Sequence, residues 1–256
     1  MSSGTFVCSA KADNPLISSD LLGKYNEGVA YFKAGDLEKA LRAFSMVALN
    51  SPRDPLVHLS LAAVLQQHGD IEDAIAEYRR ALALRPQDAF AHESLGLLLQ
   101  SHGDVESAIN EYSMAIRLRP DVPLLRLNLG IALRVAGHQD EAITELKRVL
   151  ASYPDHLKAR SHLGAAYQDK GAYREAVDEY RKILASEPAN FSIQFNLANC
   201  LLQLKDYDGA ATAFQRASEL DKSVPETHAL LATAYSMKGK YSDAANELRA
   251  ALALKK

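Results

Sequence analysis

The reading of the fold turns on residues 55–88, PLVHLSLAAVLQQHGDIEDAIAEYRRALALRPQD. In its second half Ala74, Ile75, Tyr78, Ala81 and Leu82 recur at steps of three and four, one apolar stripe of an amphipathic helix. Pro55 stands where a helix tolerates proline, in its first turn. Gly69 suits a left-handed helix end, which needs a residue without Cβ. Pro86 closes the second helix, because it lacks an N–H and disfavours helix in the residue before it. The segment reads as helix A, tight turn, helix B, each of about 14 residues and roughly 21 Å long.

The same grammar recurs along the sequence. Ala40, Ala74, Ala108, Ala142, Ala176, Ala210 and Ala244 are spaced by 34 residues without insertion. With this alanine as position 20, repeats begin at Leu21, Pro55, Ala89, Pro123, Leu157, Phe191 and Pro225. Position 8 is small (Gly28, Ala62, Gly96, Gly130, Gly164, Ala198, Ala232), so two helices can approach closely. Position 24 is large (Phe44, Tyr78, Tyr112, Leu146, Tyr180, Phe214, Leu248) and is expected to wedge against the next hairpin. Position 15 is glycine except at Lys205, where the turn is expected to be strained or differently built. One hairpin cannot bury its own apolar faces, so stability must come from stacking neighbours. The protein is expected to be all-α, with a loose arm over residues 1–20 and a solenoid over 21–256.

Composition narrows the function classes. Hydrophobic residues make up 48%, enough for a sizeable core, and the formal net charge of -3 leaves no basic footprint for nucleic acid. Cys8 and Cys200 are too far apart in sequence to read as a disulfide framework or zinc site. The first residues, MSSGTFVCSAKADNP, carry no cationic, apolar leader, and no apolar run is long enough to insert in a membrane. A cytoplasmic setting is the expectation. His58, His92 and His228 share position 4, at least one repeat apart, which is too far for shared metal ligation. No nucleotide-binding loop, nucleophile elbow or zinc-protease motif occurs, and no cofactor is expected.

The pattern of L-G-x-x-Y/L, then A, then Y/F, then P resembles the tetratricopeptide repeat family over Leu21–Lys256. The family's tryptophan at position 4 is missing; from repeat two onward His58, His92, Arg126, Arg160, Gln194 and His228 stand there. The resemblance implies a right-handed superhelix whose A helices line a groove for protein or peptide partners, and a non-enzyme. Positions 2, 5, 6, 9, 12 and 13 should face that groove, off the interior stripe of helix A. In the first four repeats they are largely apolar: Tyr25, Val29, Phe32, Leu59, Phe90, Leu97, Leu127 and Ile131. In the last three Gln168, Asn196, Asn199 and Gln203 make them more polar, although Phe195, Leu202 and Leu230 also fall at these positions. Asn26, Asn128 and Asn196 share position 6, Gln66, Gln100 and Gln168 share position 12, and Arg134 is among the few charges. Such amides suit the backbone of an extended peptide. The alternative is that the apolar groove residues pack only on neighbouring helices.

The family's carboxylate clamp takes Lys and Asn at positions 5 and 9, Asn at 6, then Lys and Arg at 2 and 6 of three successive repeats. Repeats one to three offer Tyr25, Val29, Ser60, Phe90 and Ser94, and no other three complete the set. The leading expectation is an interaction scaffold, within an assembly or as an assembly chaperone. The alternatives are a substrate-recognition domain of a larger enzyme, such as a glycosyltransferase, and self-association through the last helix. That helix carries Ala244, Ala245, Leu248, Ala251, Leu252 and Leu254 with no further helix A over it, and Lys255 and Lys256 complement its dipole.

Overall fold

The computed structural model describes residues 19–254. Most of the expected arm, and Lys255 and Lys256, lie outside the described residues. Fourteen helices follow one another among them: α1 (Ser19–Lys33), α2 (Leu37–Asn50), α3 (Pro55–His68), α4 (Ile71–Leu84), α5 (Ala89–Ser101), α6 (Val105–Leu118), α7 (Pro123–Val135), α8 (Gln139–Ser152), α9 (Leu157–Asp169), α10 (Tyr173–Ser186), α11 (Phe191–Gln203), α12 (Tyr207–Leu220), α13 (Pro225–Met237) and α14 (Tyr241–Ala253). Odd-numbered helices are the A helices and even-numbered ones the B helices. No strand occurs among the described residues.

The protein divides into two compact units, Met1–Ala132 and Leu133–Lys256, and the division falls inside α7. In the first unit α1 packs on α2, α3 on α4 and α5 on α6, and in the second α9 packs on α10, α11 on α12 and α13 on α14; helix B of one hairpin also packs on helix A of the next. In the first unit α2 meets α3 and α4 meets α5; in the second α8 meets α9, α10 meets α11 and α12 meets α13. All seven alanines of position 20 are buried.

Helix ends follow local chemistry. Asp54 Oδ1 accepts from Leu56 N–H at 2.9 Å, and Asp88 Oδ1 accepts from Phe90 and Ala91 N–H at 3.1 Å. These caps satisfy donors that the first turn of a helix leaves free. In the turns between A and B, six glycines hold positive φ between 73° and 104°. Gly35 N–H reaches Phe32 O at 3.0 Å, and Asp36 N–H reaches Tyr31 O at 2.9 Å.

Of the two forms open to the Lys205 turn, the structure shows strain within the common design. Lys205 has φ 62°, with its N–H on Leu202 O at 3.0 Å and Asp206 N–H on Leu201 O at 2.9 Å. The tertiary pattern forces a lysine into the conformation that glycine takes elsewhere. A Cβ costs roughly 1–2 kcal/mol in that region, partly offset by the greater freedom of an unfolded glycine. Lys205→Gly is therefore expected to stabilise the protein by about 1 kcal/mol in denaturant unfolding. An unchanged or lowered midpoint would show that the left-handed lysine carries no strain.

Candidate functional site

The residues expected to face a partner separate by exposure. Asn26, Leu97 and Gln203 are exposed, Leu97 at 44%. Leu59, Gln66, Phe90, Gln100, Ile131, Arg134, Gln168, Asn196 and Asn199 are half-buried. Tyr25, Val29, Phe32, Leu127 and Asn128 are buried, which corrects their placement on an open face. For Tyr25 the reason is direct. Its hydroxyl meets Ser60 Oγ at 2.7 Å, and its ring stands edge-on to Phe44 with centroids 5.2 Å apart. It ties the first hairpin to the second. Val29 and Phe32 follow Tyr25 by four and seven residues and so continue the same helical stripe.

The glutamine column is not a row of solvated amides. Gln66 Oε1 accepts from the Tyr78 hydroxyl at 3.0 Å, Gln100 Oε1 from Tyr112 at 2.9 Å, and Gln168 Oε1 from Tyr180 at 3.1 Å. Each bond joins position 12 of helix A to position 24 of helix B in one hairpin. Burial pushes the Tyr78 phenol up to about 12, and those of Tyr112 and Tyr180 further, so all three keep their proton. The pairing was legible as a covariation of columns. Tyrosine at 24 goes with glutamine at 12, whereas Phe44, Leu146, Phe214 and Leu248 go with Phe32, Arg134, Leu202 and Ser236.

In the second unit the A-helix face gathers polar groups around α9. Arg134 Nη1 donates to Asp169 Oδ2 at 2.7 Å, while Arg134 Nε is buried without an acceptor. Cys200 Sγ donates to Gln168 Oε1 at 3.4 Å, and burial lifts its thiol to about 12, so it is unreactive. Burial, followed by the nearby charges of Arg134 and Lys158, depresses the His162 imidazole to about 4. Phe195 packs edge-on to Phe214 at 5.7 Å on the α11–α12 hairpin.

A second set of contacts explains position 4, where the sequence showed a missing tryptophan and histidines too far apart to share a metal. His58 Nδ1 lies 2.6 Å from Glu77 Oε2, and its Nε2 lies 2.9 Å from Pro52 O. His92 repeats this with Glu111 at 2.6 Å and Pro86 O at 3.0 Å, and His228 meets Glu247 at 2.7 Å. Arg160 bridges Glu179 and Pro154 O in the same way. The partner is always position 23 of the same repeat and, where present, the proline carbonyl that ended the previous one. The signal lay in position 23, which is glutamate in each of these repeats but Ala213 opposite Gln194. Gln194 accordingly keeps only the carbonyl bond, to Pro188 at 3.4 Å.

Family models described as tetratricopeptide repeat match residues 25–89 and 93–156, and residues 167–234 and 201–256. No curated protein matches the sequence. Among solved structures, a tetratricopeptide repeat protein from Parabacteroides merdae is similar with a TM-score of 0.70 at 15% identity, covering 93% of this protein and 94% of that one. MamA from Desulfovibrio magneticus gives 0.63 at 22%, over 65% of this protein and 94% of that one. YrrB, described as having an unusual peptide-binding site, gives 0.63 at 20%, over 72% and 94%.

The His58 clasp has a pH consequence. Both ring nitrogens face acceptors, Glu77 and a carbonyl, so the doubly protonated ring satisfies both. The Glu77 hydrogen bond raises the His58 pKa above its ordinary 6.5, against the opposing effects of burial and of Arg80. A raised folded pKa stabilises fully below the unfolded value, and that gain is lost as pH climbs through the folded value. His58→Gln is expected to cost about 1–2 kcal/mol near pH 6 in denaturant titrations, and the gap should narrow as pH rises through the raised folded pKa. A gap independent of pH would mean that the clasp works through the neutral ring.

Proposed function

The protein belongs to the tetratricopeptide repeat family, and on that premise we propose that its A-helix face binds partner polypeptides in two different ways. The fold is that of a protein-interaction scaffold. No helix among the described residues is long and apolar enough to cross a membrane.

The single observation that carries the reading is the exposure of Leu97. A leucine 44% exposed in mid-helix on α5 shares the column of position 9 with half-buried Ile131. The same column in the second unit holds half-buried Ala165 and Asn199 and exposed Thr233. An apolar group left in water in one unit and replaced by amide and hydroxyl in the other favours an apolar segment on the first unit. Polar or backbone groups then fit the second. A role in assembly, or as a chaperone for assembly subunits, would use the same surface.

A second reading has its own observation. The outer side of α13 and α14 forms a hollow of about 380 Å³ lined by Ala232, Met237, Tyr241, Ala244 and Leu248. Tyr241 is 71% exposed and Leu248 49%. Self-association through this side would make the mass from light scattering rise with concentration, and Leu248→Glu would abolish the rise.

The primary test is a quantitative pull-down from source lysate with wild type and Leu97→Glu/Ile131→Glu, after circular dichroism shows equal helicity. Partners captured by the wild type should fall at least about tenfold with the variant, since two charges would be buried against an apolar segment. Equal capture by both proteins would remove the first unit's A-helix face as the binding surface.

A further inference from the structure

We propose that the furrow between α10 and α12, over the inner stripe of α11, holds a glutamate side chain of a partner polypeptide at Arg181 and Arg216. This surface is separate from the A-helix face and does not rest on that reading. The incoming acid takes the place of one that repeat six lacks.

A basic residue at position 26 of helix B follows position 23 by three residues, within reach of the glutamate there. Arg80 pairs with Glu77, Arg148 with Glu145, and Lys182 with Glu179 at 2.7 Å. Repeat six keeps the base as Arg216 but has Ala213 at position 23. Gln194 at position 4 is neutral and does without the acid, keeping its bond to the Pro188 carbonyl. Arg216 has no such substitute. It is exposed and makes no hydrogen bond or ion pair among the described residues. Arg181, at position 25 of repeat five, is in the same state. The acids nearest in sequence do not serve them. Asp178, three residues before Arg181, forms no ion pair among the described residues. Glu219, three after Arg216, accepts from Gln215 Nε2 at 3.5 Å.

One hollow joins the two arginines. It measures about 630 Å³, lies between α10, α11 and α12, and is lined by Arg181, Leu184, Gln194, Leu197, Ala213 and Arg216 among others. No carboxylate among the described residues lines it. The matching hollow between α2, α3 and α4, of about 660 Å³, has Glu77 in its wall, bound to His58 and Arg80. The two furrows share their place in the repeat and differ in the acid. The furrow of repeats five and six therefore has two cations, an apolar wall and room for a side chain from outside. Glutamate answers all three. Its methylenes lie along Leu184 and Leu197, and its carboxylate accepts from the guanidinium groups of α10 and α12. A phosphate would meet the same arginines but has no use for the apolar wall.

The test follows the backbone amide signals of Ala185, Ala213 and Arg216 by NMR in the full-length protein near pH 6, where a glutamate is ionised. Two N-acetylated, amidated tripeptides serve as probes, Leu-Glu-Leu and Leu-Gln-Leu, with inorganic phosphate as a third. Saturable shifts with the glutamate peptide are expected, and the glutamine peptide should bind about tenfold more weakly. Arg216→Gln, a change at an exposed residue, should weaken the glutamate peptide about fivefold. Ala213→Glu, with its helicity checked by circular dichroism, should abolish binding, because the introduced acid pairs with Arg216 as Glu179 does with Lys182. Leu97→Glu/Ile131→Glu should leave the response unchanged, which separates this surface from the A-helix face. No saturable shift, equal binding of the glutamine peptide, or an unaltered response in Arg216→Gln would overturn the site. So would a response to phosphate alone. A mass that rises with concentration, and stops rising in Arg216→Gln, would assign the acid to a second copy and overturn the external partner.

Discussion

Everything in this protein depends on how closely helix B lies on helix A at positions 24 and 8. A Cβ on Gly164 would come within 2.7 Å of the Tyr180 ring, one on Gly96 within 2.8 Å of Tyr112, and one on Gly28 within 3.0 Å of Phe44. The aromatic ring lies close against bare backbone, and the tyrosine hydroxyl reaches position 12. Repeat two accommodates a methyl there: Ala62 is buried beside Tyr78, whose hydroxyl still bonds Gln66 at 3.0 Å. The approach is therefore set by the hairpin as a whole, and glycine only deepens it.

Stacking adds a second constraint. A hairpin gains its core only from its neighbours, so their orientation has to be specified. The position 4 side chains do this with polar contacts that reach the preceding proline carbonyl and the glutamate of their own helix B. Proline serves twice: it stops helix B, and its free carbonyl becomes the acceptor for the next repeat. Buried ion pairs of this kind add little net stability, because desolvation cancels most of the attraction. Their geometry is what matters, since a misplaced hairpin would strand a buried charge.

These same constraints shape the surface. Once the tyrosines have claimed the glutamine oxygens, the A-helix face presents oriented donors instead of freely turning amides. Gln66 and Gln100 are held in this way in the first unit and Gln168 in the second.

The hairpins, their period and their ends were legible in the sequence because their causes are local. Apolar steps of three and four, glycine at position 15 and proline at position 32 act within a few residues. Even the odd turn at Lys205 was flagged by a missing glycine, although only the structure showed that it keeps the left-handed form. The column pairs of tyrosine with glutamine, and of position 4 with glutamate at position 23, were also written in the sequence. They emerge only when columns are read against each other. Exposure was not legible. Tyr25, Val29 and Phe32 occupy nominal face positions yet are buried, while Leu97 in the same column as Val29 is open to solvent. Burial is a sum over neighbours contributed by other turns and other repeats, and no residue carries that sum in its own identity. The sequence by itself determined what each hairpin is; which of its side chains meet water was decided by what the tertiary structure laid against them.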